Sequence, residues 1–184
     1  MSNQEKNKPT LLLHICCIGC GAYVSQLLSE EFQVKLFFYN PNIFPKEEYD
    51  KRLEEIERVA EKFEFEIIYE TYDHRAWLSK IKGLENEPEK GRRCLACYQD
   101  RLEMTAKKAN DLDCEFFSST LTVSPYKLAG EISNIGQALS KKYSVAFYDK
   151  DFKKQDGFKK AVQLSKELNL YRQDYCGCEF SRRS

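Results

Sequence analysis

The chain alternates short, continuous apolar runs with longer stretches in which apolar residues recur at helical spacing. Thr10–Ile15, Val34–Tyr39, Phe65–Tyr69, Glu115–Ser119 and Val145–Tyr148 are the short runs, rich in Leu, Ile, Val, Phe and Tyr. Apolar runs with little polar alternation predict strands buried on both faces, as in a parallel sheet. Between the runs the period changes. Lys46–Phe63 carries Tyr49, Leu53, Ile56, Val59, Ala60 and Phe63 close to helical spacing, which predicts an amphipathic helix. Ala22–Glu31, Arg93–Asn110, Leu128–Tyr143 and Gly157–Leu168 read as further helices, and His74–Lys82 as a short one. Asn40–Pro45 has turn chemistry, Gly83–Gly91 and Thr120–Tyr126 read as polar loops, and Tyr171–Ser184 as a tail,.

Strand-then-helix order repeated along the chain predicts an α/β fold: a single Rossmann-like (HUP-like) domain with a five-stranded parallel sheet and helices on both faces. Residues 1–9 are expected to be a flexible N-terminus, and residues 10–184 one catalytic domain ending in a cysteine-containing tail. Ligands of open parallel sheets gather beyond the carboxyl ends of the strands. The loops Cys16–Gly21, Thr120–Tyr126 and Asp149–Phe152 follow strands and should open on that one edge.

The 184 residues suffice for a proper core without covalent staples,. The 29 basic and 29 acidic residues cancel, so no global field draws the chain to nucleic acid or membrane, and any nucleic-acid contact must use local patches,. No apolar run approaches a membrane span and residues 1–8 lack a signal-peptide core,. The expectation is a cytoplasmic protein with reduced thiols and no membrane partner.

Against that background the cysteines stand out. All of the eight but Cys114, which precedes a strand and reads as core, fall into three groups: Cys16, Cys17 and Cys20; Cys94 and Cys97; Cys176 and Cys178. Thiol groups brought together from distant parts of a reduced chain point to metal ligation or redox chemistry. Cys94 and Cys97, three apart at a helix start, share a face near the positive end of the dipole, which favours thiolates for iron or zinc; a dithiol redox motif is the alternative. Cys176-Gly-Cys178 is closer than the usual zinc-ligand spacing and suits a strained, reversible disulfide that delivers electrons. Cys16 and Cys17 occupy the loop after the first strand, where a nucleotide-binding enzyme of this architecture has its phosphate loop. No Walker or Gly-x-Gly-x-x-Gly pattern occurs, so no nucleotide partner is expected.

His14-Ile-Cys-Cys-Ile-Gly-Cys20, Gly91-Arg-Arg-Cys-Leu-Ala-Cys-Tyr98 with Arg101, Thr122-Val-Ser-Pro-Tyr-Lys127, Asp151-Phe-Lys153 and Tyr171-Arg-Gln-Asp-Tyr-Cys-Gly-Cys178 with Phe180-Ser181 resemble epoxyqueuosine reductase of the QueH type, in the family's order. One departure is Ile18-Gly19, where the family pattern has Ala-Pro; it leaves the role of Cys20 open. The resemblance implies reduction of epoxyqueuosine to queuosine at the anticodon wobble position of tRNA, the last step of queuosine synthesis. It also implies a [4Fe-4S] cluster, no cobalamin, and an electron donor. Carried over residue by residue, it makes Cys16, Cys17, Cys94 and Cys97 the cluster ligands and Cys176 and Cys178 the redox-active pair. It admits an additional iron whose ligands are not assigned.

Removing an epoxide oxygen as water takes two electrons and two protons, and a dithiol closing to a disulfide releases both. Asp151, Tyr126 and His14 are candidate proton donors, with a core histidine as the plain reading of His14 and a surface turn residue that of Asp151. Arg93, Arg101, Tyr126, Lys127 and Arg172 are candidate substrate or tRNA contacts. With Arg92, Lys153, Lys154, Arg182 and Arg183 the cationic members form a candidate basic rim. Two other classes fit part of the pattern: a tRNA sulfur-transfer enzyme related to adenine-nucleotide α hydrolases, and a non-catalytic zinc-binding module.

Overall fold

The strands are β1 (Thr10–His14), β2 (Gln33–Phe38), β3 (Glu66–Tyr69), β4 (Phe116–Ser119) and β5 (Ala146–Phe147). In the computed structural model, which describes residues 8–181, they form one sheet in the order β3-β2-β1-β4-β5. Every pairing is parallel. The helices are α1 (Ile18–Ser29), α2 (Lys46–Lys62), α3 (His74–Lys80), α4 (Arg92–Asp111), α5 (Ala129–Tyr143) and α6 (Gly157–Glu167). The N-terminal segment expected to be flexible lies, up to residue 7, outside the described residues, as do Arg182 and Arg183.

β1 explains the two layers. Successive side chains of a strand point to opposite faces. Leu11 and Leu13 enter a core with residues of α1, α2 and α6, while Leu12 enters a second core with residues of α4 and α5. All three leucines are fully buried, so this strand can sit only at the middle of a covered sheet. A third, smaller cluster of Trp77, Ile81 and Cys97, with Phe180 against it, ties α3 and the C-terminal segment to α4.

Three expectations change. Of the expected Cys16–Gly21 loop only Cys16 and Cys17 remain, because α1 starts at Ile18 rather than Ala22. Gly19 and Gly21 suggested a loop, but Gly19 serves close packing: a Cβ there would stand 3.0 Å from Ser165 Oγ of α6. The Thr120–Tyr126 segment is not simply a polar loop. Thr120–Val123 forms a buried 3-10 turn capped by Ser119 Oγ, which accepts from Leu121 N–H at 3.2 Å. β5 shrinks to an edge strand paired only with β4.

Candidate active site

Strand order reverses between β1 and β4, the position where open α/β sheets form their ligand crevice,. Cys16 and Cys17 line it, with Cys17 as the N-cap residue of α1 and its backbone extended (φ −160°, ψ 151°). The loop is held from both sides. Asn40 Nδ2 donates to Ile15 O at 2.8 Å. His14, fully buried, bonds Ser119 Oγ at 3.0 Å through Nδ1 and Tyr39 O at 3.2 Å through Nε2. Burial, and then the charge of Arg101, lower the His14 pKa to about 3. His14 is therefore a neutral core residue and not a proton donor at ordinary pH.

Cys94 and Cys97 lie in the opening turns of α4, whose N-cap is Gly91. Lys90 N–H donates to Cys94 Sγ at 3.3 Å. The C-terminal segment brings the third group. Buried Arg52 of α2 donates to Tyr175 O at 3.2 Å and to Cys176 O at 3.3 Å, and is paired with Glu48 at 2.7 Å. Phe44 N–H donates to Gly177 O at 2.8 Å, Arg93 reaches Phe180 O at 3.5 Å, and His74 Nε2 meets Glu179 Oε1 at 2.9 Å. Gly177 turns the chain between the thiols at φ +106°, in the left-handed region,. A Cβ there would come within 3.0 Å of Ile43 and 3.1 Å of Arg52.

These elements enclose two adjoining cavities. The outer one, about 690 Å³, is lined by Cys16, Cys17, Cys20, Tyr126, Lys127, Phe158, Arg172, Asp174 and Cys176, among others. The inner one, about 20 Å³, is lined by Trp77, Arg93, Cys94, Cys97, Tyr98, Arg101 and Cys178, among others. Glu89, Lys127, Cys176 and Ser181 line both and form the shared wall. Within that wall Lys127 Nζ donates to Cys176 Sγ at 2.7 Å. Burial disfavours the Lys127 ammonium, but the charge of Cys176 and its hydrogen bond outweigh burial and raise the lysine's pKa.

The deep thiols all lie above their ordinary range, for different reasons. Burial raises Cys97 to about 12 although Arg101 pulls the other way. The hydrogen bond with Cys17, followed by burial, raises Cys16 well above its ordinary range. For Cys17 the bond with Cys16 lowers the pKa, and the bond with Cys20 together with burial reverses this, leaving it near about 11. The adjacent pair is thus coupled electrostatically, each thiol acting on the other's titration. All eight cysteines are free.

Seven thiols consequently reach one site, and Cys114 sits in the core as expected. Tyr126, Lys127 and Arg172 line the outer cavity. Arg93 and Arg101 do not form a surface for tRNA: they are 3% and 2% exposed. Arg93 is spent on the carbonyls of Leu84, Glu85, Glu87 and Phe180. Asp151 lines neither cavity; its carboxylate faces Lys153 at 3.6 Å. Arg92 is paired with Glu87, which leaves Lys127 and Arg172 as the rim cations at the described cavity wall. Residues that sequence reasoning missed are Arg52, Trp77, Phe158, Glu89 and Asp174. Arg52 had a signal, since it interrupts the apolar face of α2 beside Tyr49 and Ile56.

The donor set suits an iron–sulfur cluster. Cys16 and Cys17 face the outer cavity, Cys94 and Cys97 the inner one, and the buried Arg101 cation acts on Cys97 and Cys16. Among the described residues no three His, Cys, Asp or Glu side chains already converge as on a single metal ion.

Fold and site define a Rossmann-like α/β domain of HUP type whose switch-point crevice is lined by thiols. A model of the family described as epoxyqueuosine reductase QueH matches residues 11–184. The chain is 41% identical over 178 residues to epoxyqueuosine reductase QueH of Thermotoga maritima, covering 94% of this chain and 90% of that protein. It is 34% identical over 184 residues to the Streptococcus pyogenes serotype M1 protein of the same name, covering 97% and 72%. The chain belongs to the epoxyqueuosine reductase QueH family, a family of oxidoreductases. Its fold is shared with the U34-tRNA thiolase NcsA of Methanococcus maripaludis, solved with its [4Fe-4S] cluster (TM-score 0.61, 14% identity, covering 100% of this chain and 65% of that one). It is shared also with a predicted subunit of tRNA methyltransferase from Methanocaldococcus jannaschii (TM-score 0.60, 14% identity, covering 86% and 75%).

Proposed function

We propose that this chain reduces the epoxide of epoxyqueuosine, carried at the anticodon wobble position of a tRNA, to the alkene of queuosine. The observation that carries the reading is the shared wall: Cys176, bonded to Lys127, borders both the roomy outer cavity and the inner thiol cavity. Family membership supplies the reaction class, and the same fold holds a [4Fe-4S] cluster in the U34-tRNA thiolase. A cluster bound by Cys16, Cys17, Cys94 and Cys97 would pass electrons singly and offer an iron as Lewis acid to the epoxide oxygen.

The chain's own residues do the rest. The outer cavity has the volume of a small-molecule site and admits the modified nucleoside,. Tyr126, 61% exposed, offers a ring for stacking at that cavity, and Arg172 a charge for phosphate,. Cys176 and Cys178 supply two electrons and two protons when they close to a disulfide; the epoxide C–O bonds break, the alkene forms and the oxygen leaves as water. The Lys127 ammonium is bonded to Cys176 and lines the same cavity, so it is the proton-carrying group placed to relay between the thiol and a bound substrate. Arg52 and Gly177 hold the pair in position from behind. An external electron donor then reopens the disulfide.

The test is anaerobic incubation of iron-loaded protein with epoxyqueuosine-containing tRNA and a low-potential reductant, followed by nucleoside analysis. Conversion to queuosine is expected. Iron-loaded protein that leaves the epoxide intact sinks the reading.

A further inference from the structure

Seven buried side-chain N or O atoms among the described residues lack a hydrogen-bond partner. Three of them, Trp77 Nε1, Tyr98 OH and Arg101 Nη2, belong to side chains that line the inner cavity. These side chains are 1%, 1% and 2% exposed. Leaving such a donor buried and unpaired is destabilising. Three on side chains around one small space call for an acceptor there,.

The rest of that wall shows which acceptor. Cys94, Cys97, Cys176 and Cys178 supply four sulfurs, and the carbonyl of Cys97 already takes Arg101 Nε at 3.3 Å. A neutral thiol is a weak acceptor, whereas an anionic sulfur is a strong one. Arg101 adds a full charge, and among the described residues it forms no ion pair with a carboxylate. The competing occupant is one water, for which about 20 Å³ has room,. It would accept from Trp77 and Arg101 and donate to Tyr98.

We propose that Trp77, Tyr98 and Arg101 are a fixed set of donors for anionic sulfur at the Cys94–Cys97 end of the site, and that they set the reduction potential of the cluster held there. This rests on the cluster reading above. Each donor stabilises the reduced, more negative form more than the oxidised form, so the set raises the potential. Arg101 is then a donor to anionic sulfur and not a contact for the tRNA.

The test is an anaerobic redox titration followed by electron paramagnetic resonance, with iron and sulfide counted for each variant. A Trp77→Phe, Tyr98→Phe double variant removes both donors, keeps an aromatic side chain at each position and is expected to retain iron. Its potential is expected to fall so that the reduced-to-oxidised ratio at fixed potential drops about tenfold, which is about 59 mV for a one-electron couple. Arg101→Lys should retain loading with a smaller fall, and Arg101→Met should show a larger fall. Where Arg101→Met does not fold or load, the double variant carries the measurement. Full iron content with an unmoved potential in the double variant overturns the proposal and assigns the donors to water. A wild-type chain that takes up no iron and sulfide sinks the cluster reading and this inference together.

Discussion

The two cavities share a wall of Glu89, Lys127, Cys176 and Ser181 but are built on opposite terms. The outer cavity is large, and its wall includes the exposed rings of Tyr126 and Phe158. It forms where the sheet's strand order reverses, so any member of this architecture has a crevice there. The inner cavity is water-sized and walled by side chains from α3, α4 and the C-terminal segment, with buried cations and unpaired donors. The difference teaches a separation of duties. A crevice of about 690 Å³ has room for a nucleoside, whereas a pocket of about 20 Å³ does not. Cys176 is the thiol that touches both.

The strongest way to break this comparison is to remove an inner thiol. Cys97→Ala or Cys94→Ala should reduce bound iron and sulfide to near zero after anaerobic reconstitution. Wild-type iron content in either variant would show that the inner pair is not a ligand pair. Next, Cys178→Ser should keep iron yet lose turnover driven by a dithiol donor, because one sulfur cannot close a disulfide. If the iron is lost as well, Cys178 is a ligand and the division of labour fails.

Smaller effects sharpen each side. Gly177→Ala forces a side chain into the left-handed region against Ile43 and Arg52, and thermal unfolding should show a loss of about 1–3 kcal/mol,. Tyr126→Ala should weaken tRNA binding by about 1–3 kcal/mol while leaving iron unchanged, the value of one stacked base. Arg172→Gln should lower the slope of log affinity against log salt by about 1; an unchanged slope would remove this arginine from the phosphate contacts.

Glu103 of α4 lies outside both cavities and serves as a control. The hydrogen bond from Lys142 first, and that from Tyr143, hold its carboxyl below the ordinary 4.5. Its stabilisation is thus fully present above that ordinary value and is lost as pH falls through the lowered one. The pair is partly exposed, so Glu103→Gln should remove about 0.5 kcal/mol at neutral pH, with iron content and turnover untouched.

The strands were readable because buried parallel strands leave continuous apolar runs, and β1 is the clearest case. The start of α1 was not, because Gly19 has the same one-letter appearance in a loop and in a tight helix contact. What distinguishes the two is Ser165, which lies far along the chain. The three thiol groups were readable as chemistry. Asp151 was chosen because its loop follows a strand, but the fold turns its carboxylate to Lys153. Arg101 shares the buried stripe of α4 with Cys97, Tyr98, Leu102 and Thr105, so helical spacing could have marked it as interior.

By itself the sequence determined the parallel sheet, the helices that cover it, the thiol-filled loop after β1 and the family to which those motifs belong. These are local matters: period, turn chemistry and short motifs are written in neighbouring residues. The tertiary structure alone decided that there are two cavities, that Cys176 and Lys127 stand between them, and that Arg52, Arg93 and Arg101 face inward. Arg52 meets Cys176 across 124 positions of chain, and no local period encodes such a meeting. It follows from packing, which buries the cation only because the carbonyls of the C-terminal segment are there to receive it,.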